Sequence, residues 1–205
     1  YDGGLYTNLG DEDGMTIVNF DTFAGISDIS ESHDGRIWFA SQKGLYFFID
    51  NNFSEVEDLA GKSVTKILVD KNQTIWAATN EGLWFIKKGV VDEFSELPLA
   101  RIFDLIQDLE GNLWITTSAG VFVYDGQKLE RFPLIDWKIE KIALGIEKKV
   151  YLIGDGNVWS YDNEKVKKLS FPTTVYDVIQ TGDDGDWFLT GQSFSFQATY
   201  GPLFL

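Results

Sequence analysis

The feature that most constrains this chain is a tryptophan that returns at a fixed interval. Trp38, Trp76 and Trp114 lie 38 residues apart, and the segments 34–46, 72–84 and 110–122 around them align without a gap. A fourth copy puts Tyr151 in the tryptophan column, 37 residues on, and a fifth puts Trp187 there, within the run Gly185 to Phe188. Self-similarity at this period marks a repeat architecture. Each unit is too small to bury its own apolar faces and must stack on copies of itself.

Each unit reads as four short strands split by turns. The first carries β-branched residues at its ends, as in Ile26 to Ile29, Val64 to Ile67, Ile102 to Leu105, Ile139 to Ile142 and Val175 to Val178. A polar turn follows, with Gly35 or Gly111 supplying the positive φ a tight hairpin requires. The tryptophan strand is apolar on consecutive residues (Ile37 to Ala40, Ile75 to Ala78), the pattern of a strand covered on both faces. A second turn ends at Gly44, Gly82 or Gly120. It leads to a third strand (Leu45 to Ile49, Leu83 to Ile86, Val121 to Tyr124) and a more polar fourth (Val90 to Phe94, Lys128 to Phe132). Four antiparallel strands in about 40 residues is the blade of a β-propeller, an all-β fold. A helical solenoid is excluded because no 3.6-residue apolar period is present, and a β-sandwich leaves the tryptophan interval unexplained.

The blades are expected at 25–62, 63–100, 101–137 and 138–173, with a partial or closing blade at 174–205 and the outer strands of a preceding blade at 1–24. Gly4-Leu5-Tyr6 matches Gly44-Leu45-Tyr46 at a distance of 40. The chain is therefore expected to be either a closed ring of about five blades or, the favoured reading, a fragment of a larger propeller.

Composition narrows the function. Seventeen basic against 32 acidic residues give a net charge of −15, which repels phosphate backbones and anionic lipid, so neither nucleic acid nor a membrane surface is an expected partner. There is no cysteine, and the single histidine, His33, sits in a hairpin turn, so thiolate chemistry, a Ser-His-Asp arrangement and a histidine metal site have no residues to build on. Asp11 to Gly14 and Gly182 to Asp186 resemble the start of a calcium loop, but the position that would close the first is Thr22 rather than glutamate. Gly154-Asp-Gly156 falls in a hairpin with no helix behind it, which excludes a phosphate cradle. No catalytic residue, metal or cofactor is expected.

Two constellations remain. The third position of the first strand holds Asp28, Lys66, Asp104, Lys141 and Asp177, charged throughout and alternating in sign. On the innermost strand of a propeller these would line the channel and pair between adjacent blades. The loops leading into each first strand contain Phe23, Lys62, Arg101, Trp137, Lys138 and Phe171. Aromatic rings beside basic groups suit a sugar or an acidic ligand, and the same rings also serve to pack beneath loops.

The repeat consensus, Asp/Glu-Gly-[NR]-[IL]-Trp-x-x-[TS]-x-x-Gly-[LV]-[YWF], with its fullest match from Gly111 to Thr117, resembles the two-component regulator propeller repeat over residues 25 to about 190. The fourth copy departs from it at Lys149, Tyr151 and Asn157, and the fifth lacks the glycine turn at Gly191 to Ser193. The resemblance implies the periplasmic sensor region of a hybrid histidine kinase, binding a small molecule or oligosaccharide and signalling to a kinase elsewhere in the full chain, with dimerisation through the full-length receptor. A propeller lyase or glycoside hydrolase and a protein-interaction scaffold are the alternatives.

Overall fold

The computed structural model describes residues 5–7, 16–18, 25–133, 138–162, 164–180, 185–190 and 197–198. These form strands almost throughout, with two short 3-10 turns at Glu57–Leu59 and Ile146–Lys148. The chain divides into two compact units, Tyr1–Ser95 and Glu96–Leu205.

In the first unit β1 (Leu5–Thr7) and β2 (Thr16–Val18) pair as an antiparallel ribbon. The first blade is β3 (Ile26–Glu31), β4 (Ile37–Ser41), β5 (Gly44–Ile49) and β6 (Asn52–Glu55). The second is β7 (Val64–Val69), β8 (Ile75–Thr79), β9 (Gly82–Lys87) and β10 (Val90–Glu93). In the second unit the third blade is β11 (Ile102–Gln107), β12 (Leu113–Thr117), β13 (Gly120–Tyr124) and β14 (Leu129–Arg131). The fourth is β15 (Lys141–Leu144), β16 (Val150–Gly154), β17 (Asn157–Asp162) and β18 (Lys165–Leu169). A three-stranded sheet follows, of β19 (Val175–Gln180), β20 (Asp186–Thr190) and β21 (Gln197–Ala198). Every sheet is an antiparallel meander with its strands in chain order. Four four-stranded meanders built on one repeat are the blades of a β-propeller fold.

The burial of each strand follows its place in the meander. β8, β12 and β16 are buried at every position, because both faces of a second strand are covered. Outer strands such as β10 and β18 are largely exposed, and β18 carries Lys165, Lys167 and Lys168, charges that discourage edge-to-edge pairing. Within the first unit Trp38 and Ala40 of β4 pack on Ile67, Ile75 and Ala77 of the second blade. Within the second unit Trp114 packs on Ile142, Leu152 and Trp159, and Tyr151 and Ile153 pack in turn on Val175, Val178 and Phe188. At Trp38, Trp114 and Tyr151 the residue of the tryptophan column thus faces the following sheet of its own unit. Truncating a buried indole of this kind to alanine costs about 3–5 kcal/mol.

The hairpin between second and third strands is fixed by one device used three times. Ser41, Thr79 and Thr117 each donate a hydroxyl hydrogen bond to the carbonyl of Gly44, Gly82 and Gly120, and each accepts the N–H two residues on. The fourth blade has Gly154 at that position. A Cβ there would lie 1.9 Å from the Lys138 carbonyl oxygen, so its hairpin turns on Asp155 and Gly156, both at positive φ.

Candidate functional site

Each blade has two ends. The loop entering the first strand and the hairpin between second and third strands lie at one, the loop end. The hairpins between first and second and between third and fourth strands lie at the other, the turn end. The ring contacts of the basic side chains picked out from the sequence are at the loop end. In the first unit Lys62 is ion-paired with Glu81 and its ammonium lies 5.1 Å from the centre of the Trp84 ring. In the second, the Arg101 guanidinium and the Lys138 ammonium both sit on Phe103, 5.6 and 5.7 Å from its centroid. Lys138 is also paired with Glu140, whereas Arg101 is anchored through its backbone N–H, which donates to the Ser118 hydroxyl. Phe171 is half-buried, its ring 4.7 Å from Phe188 in the core beneath the loop. Phe23 and Trp137 lie outside the described residues. The chain thus brings Arg101 and Lys138 together on one aromatic ring.

Phe103 was not among the sequence candidates. It occupies the second position of the first strand, a column otherwise filled by Ser27, Thr65, Glu140 and Tyr176. A polar column that turns aromatic twice, once at the exposed Tyr176, was the available signal.

The charged column has a backbone cause. The ladder slips between Ile26 and Asp28, Val64 and Lys66, Ile102 and Asp104, and Val175 and Asp177, a β-bulge at the same place in four blades. A bulge leaves N–H groups that need acceptors. Asp28 accepts from the N–H of Ile29 at 3.1 Å and, on the next blade, of Ile67 at 2.9 Å. Asp104 does the same for Leu105 at 3.0 Å and Ile142 at 3.2 Å, and Asp177 accepts from Val178 at 2.8 Å. One carboxylate therefore serves two successive blades, so the position between two aspartates is free for a cation. Lys66 lies 3.9 Å from Asp28, and Lys141 lies 2.6 Å from Asp177.

At the turn end the tryptophan indoles are tied down. Trp76 and Trp114 donate to Asp70 at 3.0 Å and Asp108 at 2.8 Å, each six residues earlier, and these carboxylates also accept the N–H groups of their own turns. Trp38 donates instead to the Ser32 hydroxyl at 2.9 Å, which in turn donates a hydrogen bond to Asp34 at 2.7 Å. That hydroxyl above all, and then the backbone and charge of Arg36, hold the Asp34 carboxyl below the usual carboxylate range, against burial, which opposes them and ranks second only to the hydroxyl. Between the first two blades a cleft of about 740 Å³ runs past this turn, with Trp38, Phe47, Ile75 and Ile86 in its walls. Arg36 is held there by Asp34 and stacks 5.3 Å from the Phe47 ring centre. Among the described residues no cluster of three or more metal-ligating groups occurs, and no helix is long and apolar enough to cross a membrane.

No family model matches the sequence, and no curated protein matches it. Solved structures do. The chain is similar to a streptogramin B lyase, with 17% identity and a TM-score of 0.72 over 88% of this chain and 67% of that one. It is similar to the extracellular domain assigned to the hybrid two component system BT3049 of B. thetaiotaomicron, at 20% identity and a TM-score of 0.65. The corresponding domain of BT4673 from the same organism gives 14% identity and a TM-score of 0.69. The match covers 78% of this chain and 25% of the BT3049 chain, and 96% of this chain and 33% of the BT4673 chain. The chain therefore spans between a quarter and a third of these extracellular domains. At such identities the likeness is one of fold, and the fold it supports is the β-propeller.

Proposed function

We propose that this chain is a non-catalytic, extracytoplasmic propeller module of a bacterial two-component sensor. It binds a small acidic or carbohydrate ligand and passes its occupancy to a kinase elsewhere in the full-length protein, which acts as a homodimer. The observation that carries the reading is that Arg101 and Lys138 lie 5.6 and 5.7 Å from the Phe103 ring centre at the loop end of the blades. An aromatic face suits the apolar face of a sugar, and cations suit its carboxylate. The extracellular sensor domains of like fold favour a sensor, and the lyase of like fold favours an enzyme acting at the same end.

Calorimetric titration with a tetramer of galacturonic acid, with xylotetraose as the neutral comparison, separates the readings. The sensor reading expects saturable binding of the acidic tetramer without product, weakened about tenfold by Phe103→Ala and about threefold by Arg101→Gln. Release of shortened or unsaturated products would replace it with the enzyme. Silence toward both sugars would replace it with a protein-interaction scaffold.

A further inference from the structure

The cleft between the first two blades has its own chemistry and uses none of the residues on which the proposed function rests. Its walls come from the second and third strands of one blade, with Trp38 and Phe47, and the second to fourth strands of the next, with Ile75, Ile86 and Val91; of these Phe47 and Val91 are partly exposed and the others are buried. Its volume of about 740 Å³ lies within the range of small-ligand sites. The two ends of this apolar trough carry opposite charge. Glu57 and Asp58 follow β6, at the end where the chain passes toward β7. Lys87, Lys88 and Gly89 form the hairpin between β9 and β10, at the opposite end of the blade. A four-residue strand spans roughly 13 Å, so the two charged groups are too far apart to neutralise each other. Among the described residues none of these four side chains is in an ion pair, whereas Arg36 and Asp34 in the same cleft pair with each other, as do Lys62–Glu81 and Lys66–Asp28 outside it.

The turn end of the cleft is also stiffened, here by a glutamine in a glycine position. Gln73 stands where the first and third blades have Gly35 and Gly111, and it keeps their left-handed conformation at φ 63°. A side chain at such a φ is disfavoured, and here it reaches across the cleft to accept the His33 N–H at 2.9 Å. This bond holds the first-strand hairpins of the two blades at a set separation.

We infer that this cleft binds a short extended peptide with apolar side chains. Its ammonium end lies at Glu57 and Asp58, its carboxylate end at Lys87 and Lys88, and its side chains on the partly exposed Phe47 and Val91. An extended chain covers about 3.3 Å per residue, so three or four residues bridge the two charged ends. The complement of an apolar trough with a cationic and an anionic end is a zwitterion with an apolar middle. A sugar acid offers only one of the two charges, and a lipid tail neither.

The test is calorimetry on the full chain at low salt with the tripeptide Leu-Phe-Leu in three forms: free, N-acetylated and C-amidated. The free peptide is expected to bind saturably at one site, and each blocked form about three- to tenfold more weakly. The charge variants then assign the ends. Lys87→Glu with Lys88→Glu is expected to weaken the free and acetylated peptides and leave the amide unchanged. Glu57→Lys with Asp58→Lys is expected to weaken the free and amidated peptides and leave the acetylated one unchanged. All four positions are exposed, so the fold tolerates both pairs. Absence of saturable binding, equal affinity for all three forms, or variants that act on both blocked forms alike would each overturn the inference.

Discussion

The second and fourth blades solve the same problem in different ways. In the second, Trp76 is anchored by Asp70 of its own blade. In the fourth, the column holds Tyr151, and the residue six places earlier is Gly145, which has no side chain to offer. A Cβ on Gly145 would sit 2.4 Å from the tyrosine ring, so no anchor can stand there. The hydroxyl instead donates to Asp186 of the following sheet at 2.7 Å, and that carboxylate also accepts the Ile146 N–H at 2.8 Å. The repeat keeps the place of the ring and changes what holds it. A link that closes a turn within one blade becomes a link that joins two. Asp70 and Asp186 are both buried, at 7% and 1% exposure, so either anchor is expensive to remove.

The comparison predicts a graded series. Asp186→Ala takes the acceptor from a buried phenol and a part-buried N–H at a contact between sheets and is expected to cost about 3–4 kcal/mol. Asp70→Ala, which takes the acceptor from the buried Trp76 indole and Thr74 N–H but breaks no link between sheets, is expected to cost about 2 kcal/mol, and Ser32→Ala, which removes one neutral acceptor, about 1 kcal/mol. Urea unfolding of the three variants checks the order. A cost for Asp186→Ala no larger than that for Ser32→Ala would show that the link between sheets carries no weight.

The strands were legible because the repeat fixes their place: a tryptophan every 38 residues and consecutive apolar positions leave little else to fold into. The anchors were not. Asp186 lies 35 residues from Tyr151, and only the stacking of sheets brings them together. The alternation of Asp28, Lys66, Asp104, Lys141 and Asp177 was visible as charge. Its connection to backbone N–H groups at a bulge was not, because a one-residue slip of register leaves no mark in composition. At the loop end the sequence offered Arg101 and Lys138 but not Phe103, which lies inside a strand rather than in a loop. The cleft between the first two blades escaped notice because its walls come from segments up to 59 residues apart, Ser32 to Val91.

A second tyrosine sharpens the contrast at high pH. Tyr46 is buried, and its hydroxyl donates to Glu55 of the same blade at 2.9 Å. Burial first, and that carboxylate second, push its ionisation from 10.0 up to about 12. The fold therefore favours the protonated phenol. The stabilisation is complete below pH 10, the value for the unfolded chain, and is lost as pH rises through 12. Tyr46→Phe is expected to flatten the alkaline limb of stability between pH 10 and 12 by about 1–2 kcal/mol relative to the unchanged chain, as measured by urea midpoints along that range. Equal slopes for the two proteins would mean that the phenol ionises in the folded state as it does in water.

The smallest effect is expected where the fourth blade meets the last sheet a second time. Lys141 and Asp177 lie 2.6 Å apart, on the same two sheets that Tyr151 and Asp186 join, but their side chains are 39% and 31% exposed. Water already solvates much of both charges, so the pair gains little by meeting and is screened by salt. Asp177 also keeps its acceptor role toward the Val178 N–H without the lysine. Lys141→Met should therefore lower stability by less than about 1 kcal/mol, and by less still in 0.5 M salt, although it cuts the same junction as Asp186→Ala. Thermal unfolding of the two variants side by side decides which contact holds the sheets together. A loss for Lys141→Met matching that for Asp186→Ala, and unchanged by salt, would move the weight of the junction from the buried hydroxyl and carboxylate to the charged column.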